Sequence, residues 1–328
     1  MNEFYLKDEF LLKSLFIFIL IIIYYLEEND VILDYLYENN YKYFSCIANT
    51  AKFENRYARK FIEHYLSIGV EKFYLMDDNL INGEKLIDVL QDYVNKNIVE
   101  IIDNRGKKVS ITEFYEYILK YVRYKCKWLL YYDFDEHLEF VDGNMTIKNY
   151  LSNHVFDKCD VVKIHWLMYY DNDLVRYDNR SLKERFKNST LKTFENNFHK
   201  SIVRVRKYQD YMWTENTGPH QPNESLVNMC DSKGKLANVP HGILGHPNYK
   251  YCYLKHYSMK TAEEYALKLV RGEPKETKYT LKELNDKLER FFKYNKFSKE
   301  KLLLFEKKLN MTFPQYHNSK KIKPKTSN

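Results

Sequence analysis

Between Tyr43 and Tyr132 the apolar positions change period at regular intervals. Tyr43–Ala48 is a short apolar run that reads as a buried strand. Asn55–Ile68 places Tyr57, Phe61, Tyr65 and Ile68 on one helical face, and Gly69 ends it. Val70–Met76 reads as a second strand, and Glu84–Asn95 as a helix with Leu86, Val89, Leu90 and Tyr93 inward. Ile98–Ile102 follows as a strand. Ser110-x-x-Glu113 is then a capping box opening a helix to about Tyr124, and Trp128–Tyr132 is the fourth strand. This alternation predicts an α/β domain with a doubly wound, mostly parallel sheet flanked by helices.

Beyond Phe140 the pattern is less regular. Asp160–Met168, Ser201–Arg206 and Tyr251–Tyr257 read as strands, with a hairpin turn at Asp231–Gly234. Thr261-x-x-Glu264 caps a helix ending at Gly272, and Thr280-x-x-Glu283 and Ser298 open two further helices. The expected organisation is an N-terminal apolar segment (1–42), a mostly parallel α/β half (43–142), a mixed half (143–272), C-terminal helices (273–313) and a disordered basic tail (314–328).

The run WLLYYDFDEHLEF, Trp128–Phe140, carries the main chemical signal. In an extended strand Asp133 and Asp135 share a face and Phe134 points the other way. Two carboxylates on one face repel, and a cation between them removes that penalty. A strand ending in solvated acids would look the same, so the neighbourhood must decide. In open parallel sheets ligands bind at the carboxyl ends of the strands. Lys52 and Glu54 follow the first strand, and Asp77, Asp78 and Asn79 follow the second. Neither G-x-G-x-x-G nor a P-loop is present, so a diphosphate held through a metal explains the rim better.

Composition narrows the classes. The chain has 328 residues, and 45% of them are hydrophobic, enough for a large core. Its net charge of +7 draws on the C-terminal lysines, among them Lys299, Lys301, Lys307, Lys308 and Lys320, which read as a frayed basic end. No zinc-finger or RNP-like pattern supports nucleic acid. Five scattered cysteines without C-x-x-C argue against a disulfide framework, and most read as small buried hydrophobes. LFIFILIIIYYL, Leu15–Leu26, is short for a spanning helix, which needs about twenty residues. No cleavage site follows it, so it reads as a membrane anchor, with residues 10–26 as the associating stretch; a buried helix in a cytoplasmic protein is the alternative.

With these pieces placed, the chain resembles the GT-A-fold glycosyltransferases, most closely family 92 and its family-2-like relatives. Lys52-Phe53-Glu54, ARKFIEHYLSIGVEKFYLMDDN, YYDFDEHLEF, FHKSIVRV, GPH and LKHYSMKTAEEYALKLVRG occur in the family's order over Tyr43–Gly272. Phe53 stands where the family has Asn, His137 where Phe is common, and Thr261 where Ser is usual. The segment WLMYYDND also lacks the F-G that often follows the family's Trp. The resemblance implies transfer of a sugar from a nucleotide diphosphate sugar to an acceptor hydroxyl of a glycan, lipid or protein-linked chain, with inversion. It implies Mn²⁺ or Mg²⁺ on Asp133, Asp135 and His256. Lys52, Glu54, Asp77, Asn79, Lys268 and Arg271 would contact the donor, and His256, at an ordinary imidazole pKa, would tie activity to pH near about 6.5. Glu215, Asp173 and His220 are the candidate general bases on the acceptor side. A non-catalytic sugar-binding or scaffold protein and a metal-dependent nucleotidyltransferase are the rival readings.

Overall fold

Three apolar segments buried on both faces, with a half-buried fourth at the edge, can only pair side by side under helices, and they do. In the computed structural model, which describes residues 17–18, 40–107, 109–205, 227–237, 245–272 and 279–317, β1 is Tyr43–Ala51, β2 Lys72–Asp77, β3 Val99–Asp103 and β4 Cys126–Leu130. They lie parallel in the order β3-β2-β1-β4. Helices α1 (Asn55–Ser67), α2 (Leu86–Asn95) and α3 (Ile111–Val122) make the crossovers. The Ser110–Glu113 capping box is formed in both directions.

The second half extends the same sheet with mixed polarity. Its strands are β5 (Glu136–Phe140), β6 (Val161–Met168), β7 (His199–Arg204), β8 (Met229–Cys230) and β9 (Cys252–His256). The sheet continues β4-β7-β6-β9-β5, with β8 paired to β6. Strands β4 and β7, β7 and β6, and β9 and β5 are antiparallel, whereas β6 and β9 are parallel. Short helices α4 (Ile147–Leu151) and α5 (Leu182–Arg185) lie between strands. Helix α6 (Ala262–Arg271) packs with α7 (Leu281–Tyr294), α8 (Lys299–Leu309) and α9 (Pro314–His317) through Tyr265, Phe291, Phe305 and Tyr316.

Three expectations change. Pro314–His317 is helical rather than disordered; the tail from 318 onward, like most of the 1–39 segment, lies outside the described residues. Lys301 is no frayed cation: it is buried and pairs with Asp171 at 2.5 Å. Four cysteines are not isolated hydrophobes. Cys46–Cys126 ties β1 to β4, Cys159–Cys230 ties the start of β6 to β8, and only Cys252 among the described residues is a free thiol. Chain spacing concealed these pairs because only the strand order brings their Cα atoms to 6.3 and 5.7 Å. Protein from an oxidising compartment, denatured without reductant, should therefore bind one equivalent of thiol reagent, and five after reduction. Three or more equivalents before reduction would refute at least one pair.

Two imidazoles pack together between α1 and β5, His137 buried and His64 partly buried. His64 on α1 stacks on His137 of β5 at 4.6 Å between ring centroids. Burial lowers the pKa of His64 to about 4 and holds His137 well below the ordinary value, with His64 adding to the second shift. Below about pH 6.5 the unfolded chain takes up these protons and the folded one does not, so stability falls as pH falls. At pH 5 His64 alone accounts for a loss of about 2 kcal/mol relative to neutral pH. The denaturant midpoint should drop between pH 7 and pH 5; coincident curves would show that the pair is solvated.

Candidate active site

Three strand ends and one later helix meet at a single rim. Beyond β1 the chain turns through Phe53 in a left-handed conformation (φ 56°), a costly state for an aromatic residue and one that Asn adopts more readily. The Phe53 N–H donates to the Asn79 side-chain oxygen at 2.7 Å, which holds the turn. Glu54 is thereby brought to Arg271 at the end of α6, at 2.8 Å. Arg271 also donates to the Lys52 carbonyl at 2.8 Å.

The D-x-D pair occupies a turn between β4 and β5, not an extended strand. The strand ends at Leu130, and the Glu136 N–H returns to the Asp133 carbonyl at 2.9 Å. Strand alternation therefore does not set the facing of the two acids, yet both line one pocket. Asp133 has a 45% exposed side chain and accepts from Lys200 of β7 at 2.6 Å. Asp135 is buried, with Lys260 at 3.4 Å, Lys268 at 3.7 Å and His256 Nε2 at 3.8 Å. Burial by itself would raise the Asp135 pKa, but Lys260, Lys268 and Arg271 overcome it and hold the carboxyl well below the usual range. Glu136, fully buried, goes the other way: burial pushes it well above its usual value, against the pull of Lys200.

The pocket has a volume of about 180 Å³. It is lined by Lys52, Glu54, Asp78, Asp133, Asp135, Lys268 and Arg271, with Thr50, Ile111 and Phe134 as its less polar wall. A second pocket of about 210 Å³ lies beside it and shares Glu54, Lys268 and Arg271.

Several expected site residues are placed differently. Asp77 is buried and caps α2: its carboxylate accepts from Leu86 N at 2.8 Å and from the Asn79 side chain at 2.8 Å. Strand β2 runs one residue further than Met76, so alternation turns Asp77 inward and gives the rim to Asp78, 3.9 Å from Lys52. Asn79 holds the Phe53 turn and Asp77 instead of facing the pocket. Asp173 lines neither pocket; it is exposed in a left-handed turn, 3.8 Å from Lys301. Glu215 and His220 lie outside the described residues. Lys200 and Lys260 were not singled out from sequence, although both stand in the quoted segments FHKSIVRV and LKHYSMK.

His256 ends β9, opposite Glu136 in the register. Its pKa is lowered to about 3 by burial, so the ring is neutral throughout the physiological range. The expected activity loss near pH 6.5 is thus not carried by this residue. Its Nδ1 is buried without a hydrogen-bond partner while Nε2 faces Asp135. Two carboxylates and a neutral imidazole fit a divalent cation in kind. Among the described residues no three such groups are already gathered as a ligand set, and Asp133 pairs with Lys200.

Acids and cations thus share the carboxyl rim of a GT-A-type sheet. The model of glycosyltransferase family 92 matches residues 41–292, and the chain belongs to that family. Family membership sets aside the nucleotidyltransferase reading. Similar solved structures include S. aureus TarS, at 12% identity and a TM-score of 0.38, over 79% of this chain and 45% of TarS. TarS 1–349 in complex with UDP-GlcNAc is 13% identical over 82% of this chain and 72% of that one, with a TM-score of 0.35. The galactosyltransferase LgtC, in complex with donor and acceptor sugar analogs, is 13% identical over 50% of this chain and 60% of its own, with a TM-score of 0.28. The chain thus spans less than half of the TarS structure first named. No curated protein matches the sequence.

Proposed function

We propose that this glycosyltransferase moves a sugar from a nucleoside diphosphate sugar to an acceptor hydroxyl, with a divalent cation and with inversion. One observation carries the reading: Asp133 and Asp135 share a pocket with Lys52, Lys268 and Arg271 at the ends of three parallel strands. Lys268 and Arg271, three residues apart on α6, offer mobile and planar cationic donors to the diphosphate. Asp78 and Lys52, 3.9 Å apart in the same pocket, would contact the nucleoside. Asp133, Asp135 and His256 would hold Mn²⁺ or Mg²⁺, which when bound offsets charge on the departing diphosphate.

In the reaction the acceptor oxygen bonds to the anomeric carbon as that carbon's bond to the diphosphate oxygen breaks. The bonding pair leaves with the diphosphate, and the acceptor proton passes to a general base, for which Glu215 and His220 remain candidates. Residues 10–26 would attach the enzyme to a membrane; among the described residues no helix is long and apolar enough to cross one.

The test is a thermal-shift screen of nucleotide sugars with and without Mn²⁺, since a ligand of the native state raises its stability. A shift with at least one donor, larger with Mn²⁺, is expected. His256→Ala should weaken both responses by roughly tenfold or more, or about 1.4 kcal/mol. No shift with any donor would sink the reading, and a Mn²⁺ titration overlaying the parent's would remove His256 from the site.

A further inference from the structure

Helix α3 buries Phe114, Tyr115, Ile118, Leu119 and Val122, as an amphipathic helix should. Its outward face is unusual. Tyr117 and Tyr121, with Tyr124 just past the helix end, recur at the spacing of one helical face and are 53%, 37% and 57% exposed. Tyr117 and Tyr121 stack at 5.8 Å, and Lys125 Nζ lies 3.5 Å over the Tyr121 ring. The same end of the sheet receives the start of β1: Tyr43 N–H donates to the Lys125 carbonyl at 2.8 Å. Lys42 lies over Tyr43, and Lys127 over Tyr41. From Tyr117 to Tyr132 the sequence contains Lys120, Arg123, Lys125 and Lys127 and no acid.

We propose that this tyrosine-and-lysine end is a docking face for an anionic lipid surface. Amphipathic aromatic rings settle at the headgroup level of a bilayer, and nearby basic residues are attracted to acidic headgroups. The chain itself argues for this occupant. The apolar run ending at Leu26 lies only a short stretch ahead of Tyr41, so a bilayer holding that run is within reach of the face. The inference therefore rests in part on the membrane reading of residues 10–26. It adds an orientation. Strand β1 begins at the face and ends at the Lys52–Glu54 rim, about 26 Å away over eight steps of roughly 3.3 Å. The donor pocket then opens away from the lipid, toward acceptors that project from the membrane.

The full-length protein is mixed with vesicles of phosphatidylcholine alone, and with vesicles in which about a third of the lipid is phosphatidylserine. Lysine acylation by a water-soluble ester is read by mass spectrometry. Lys42, Lys120, Lys125 and Lys127 should lose reactivity on the anionic vesicles, while Lys268 at the rim should not. In the full chain, R123E/K125E/K127E should reduce the preference for anionic over neutral vesicles by roughly tenfold or more. Tyr117→Ser/Tyr124→Ser, at exposed positions that leave the fold intact, should lower anionic binding as well. Equal reactivity of the four lysines on both vesicle types, or no vesicle binding, overturns the face. Equal protection by a soluble RNA overturns lipid as its occupant. Salt-sensitive binding to anionic vesicles alone, with the expected footprint, supports the face and removes only the apolar anchor.

Discussion

Asp135→Asn should lower sugar transfer by about 100-fold or more, equivalent to about 2.7 kcal/mol of barrier, and abolish the Mn²⁺-dependent part of donor binding. The substitution keeps the shape of a buried side chain and removes the charge on which Lys260, Lys268 and His256 converge. Lys260 retains Glu54 at 3.8 Å and the Tyr57 ring at 4.2 Å, so the fold should survive. Asp133→Ala should also lose activity but be milder for stability. Its side chain is nearly half exposed, and Lys200 keeps Glu136 at 3.4 Å. Initial rates and far-ultraviolet circular dichroism of the two variants check this. Near-parental turnover in Asp135→Asn would end the assignment of that carboxylate to the reaction.

Glu264→Ala should destabilise the protein by about 3–5 kcal/mol. Arg185 of α5 grips the Glu264 carboxylate with two nitrogens, at 2.7 and 2.9 Å, and neither side chain is exposed. Tyr57 of α1 donates to the same group at 2.6 Å, and Thr261 completes a capping box at the start of α6. Truncation removes three elements' common acceptor and leaves a guanidinium buried beside Tyr177 and Phe186. Because α6 carries Lys268 and Arg271, donor affinity should fall with stability. Glu264→Gln, which keeps the neutral hydrogen bonds, should cost less. A guanidinium chloride midpoint unchanged in Glu264→Ala would show that Arg185 finds another partner.

The parallel half of the sheet was legible in the sequence because each strand–helix–strand unit is local. Tyr57, Phe61 and Tyr65 face inward as their spacing predicted, and all are buried. The capping boxes at Ser110, Thr261 and Thr280 are all formed. What failed was non-local. EHLEF gave no strand signal of its own because β5 exists by pairing with β9, more than a hundred residues later. Asp77 and Asp78 exchanged places because one residue of strand length reverses which side chain reaches the rim. Lys200 and Lys260 come from separate elements, and only the fold sets them against the D-x-D acids.

The β5–β9 pairing also bears on how the enzyme is made. Synthesis runs from the N-terminus, so a nascent chain of 250 residues already contains the D-x-D turn, β1 to β4 and Lys52. It does not yet contain the strand that backs the turn, or His256, Lys260, Lys268 and Arg271. On the proposed donor site, competence to consume the donor therefore waits until β9 and α6 have been made. A chain abandoned on the ribosome or clipped before β9 would carry the acidic motif without its proposed partners, and on that proposal would leave the activated sugar untouched.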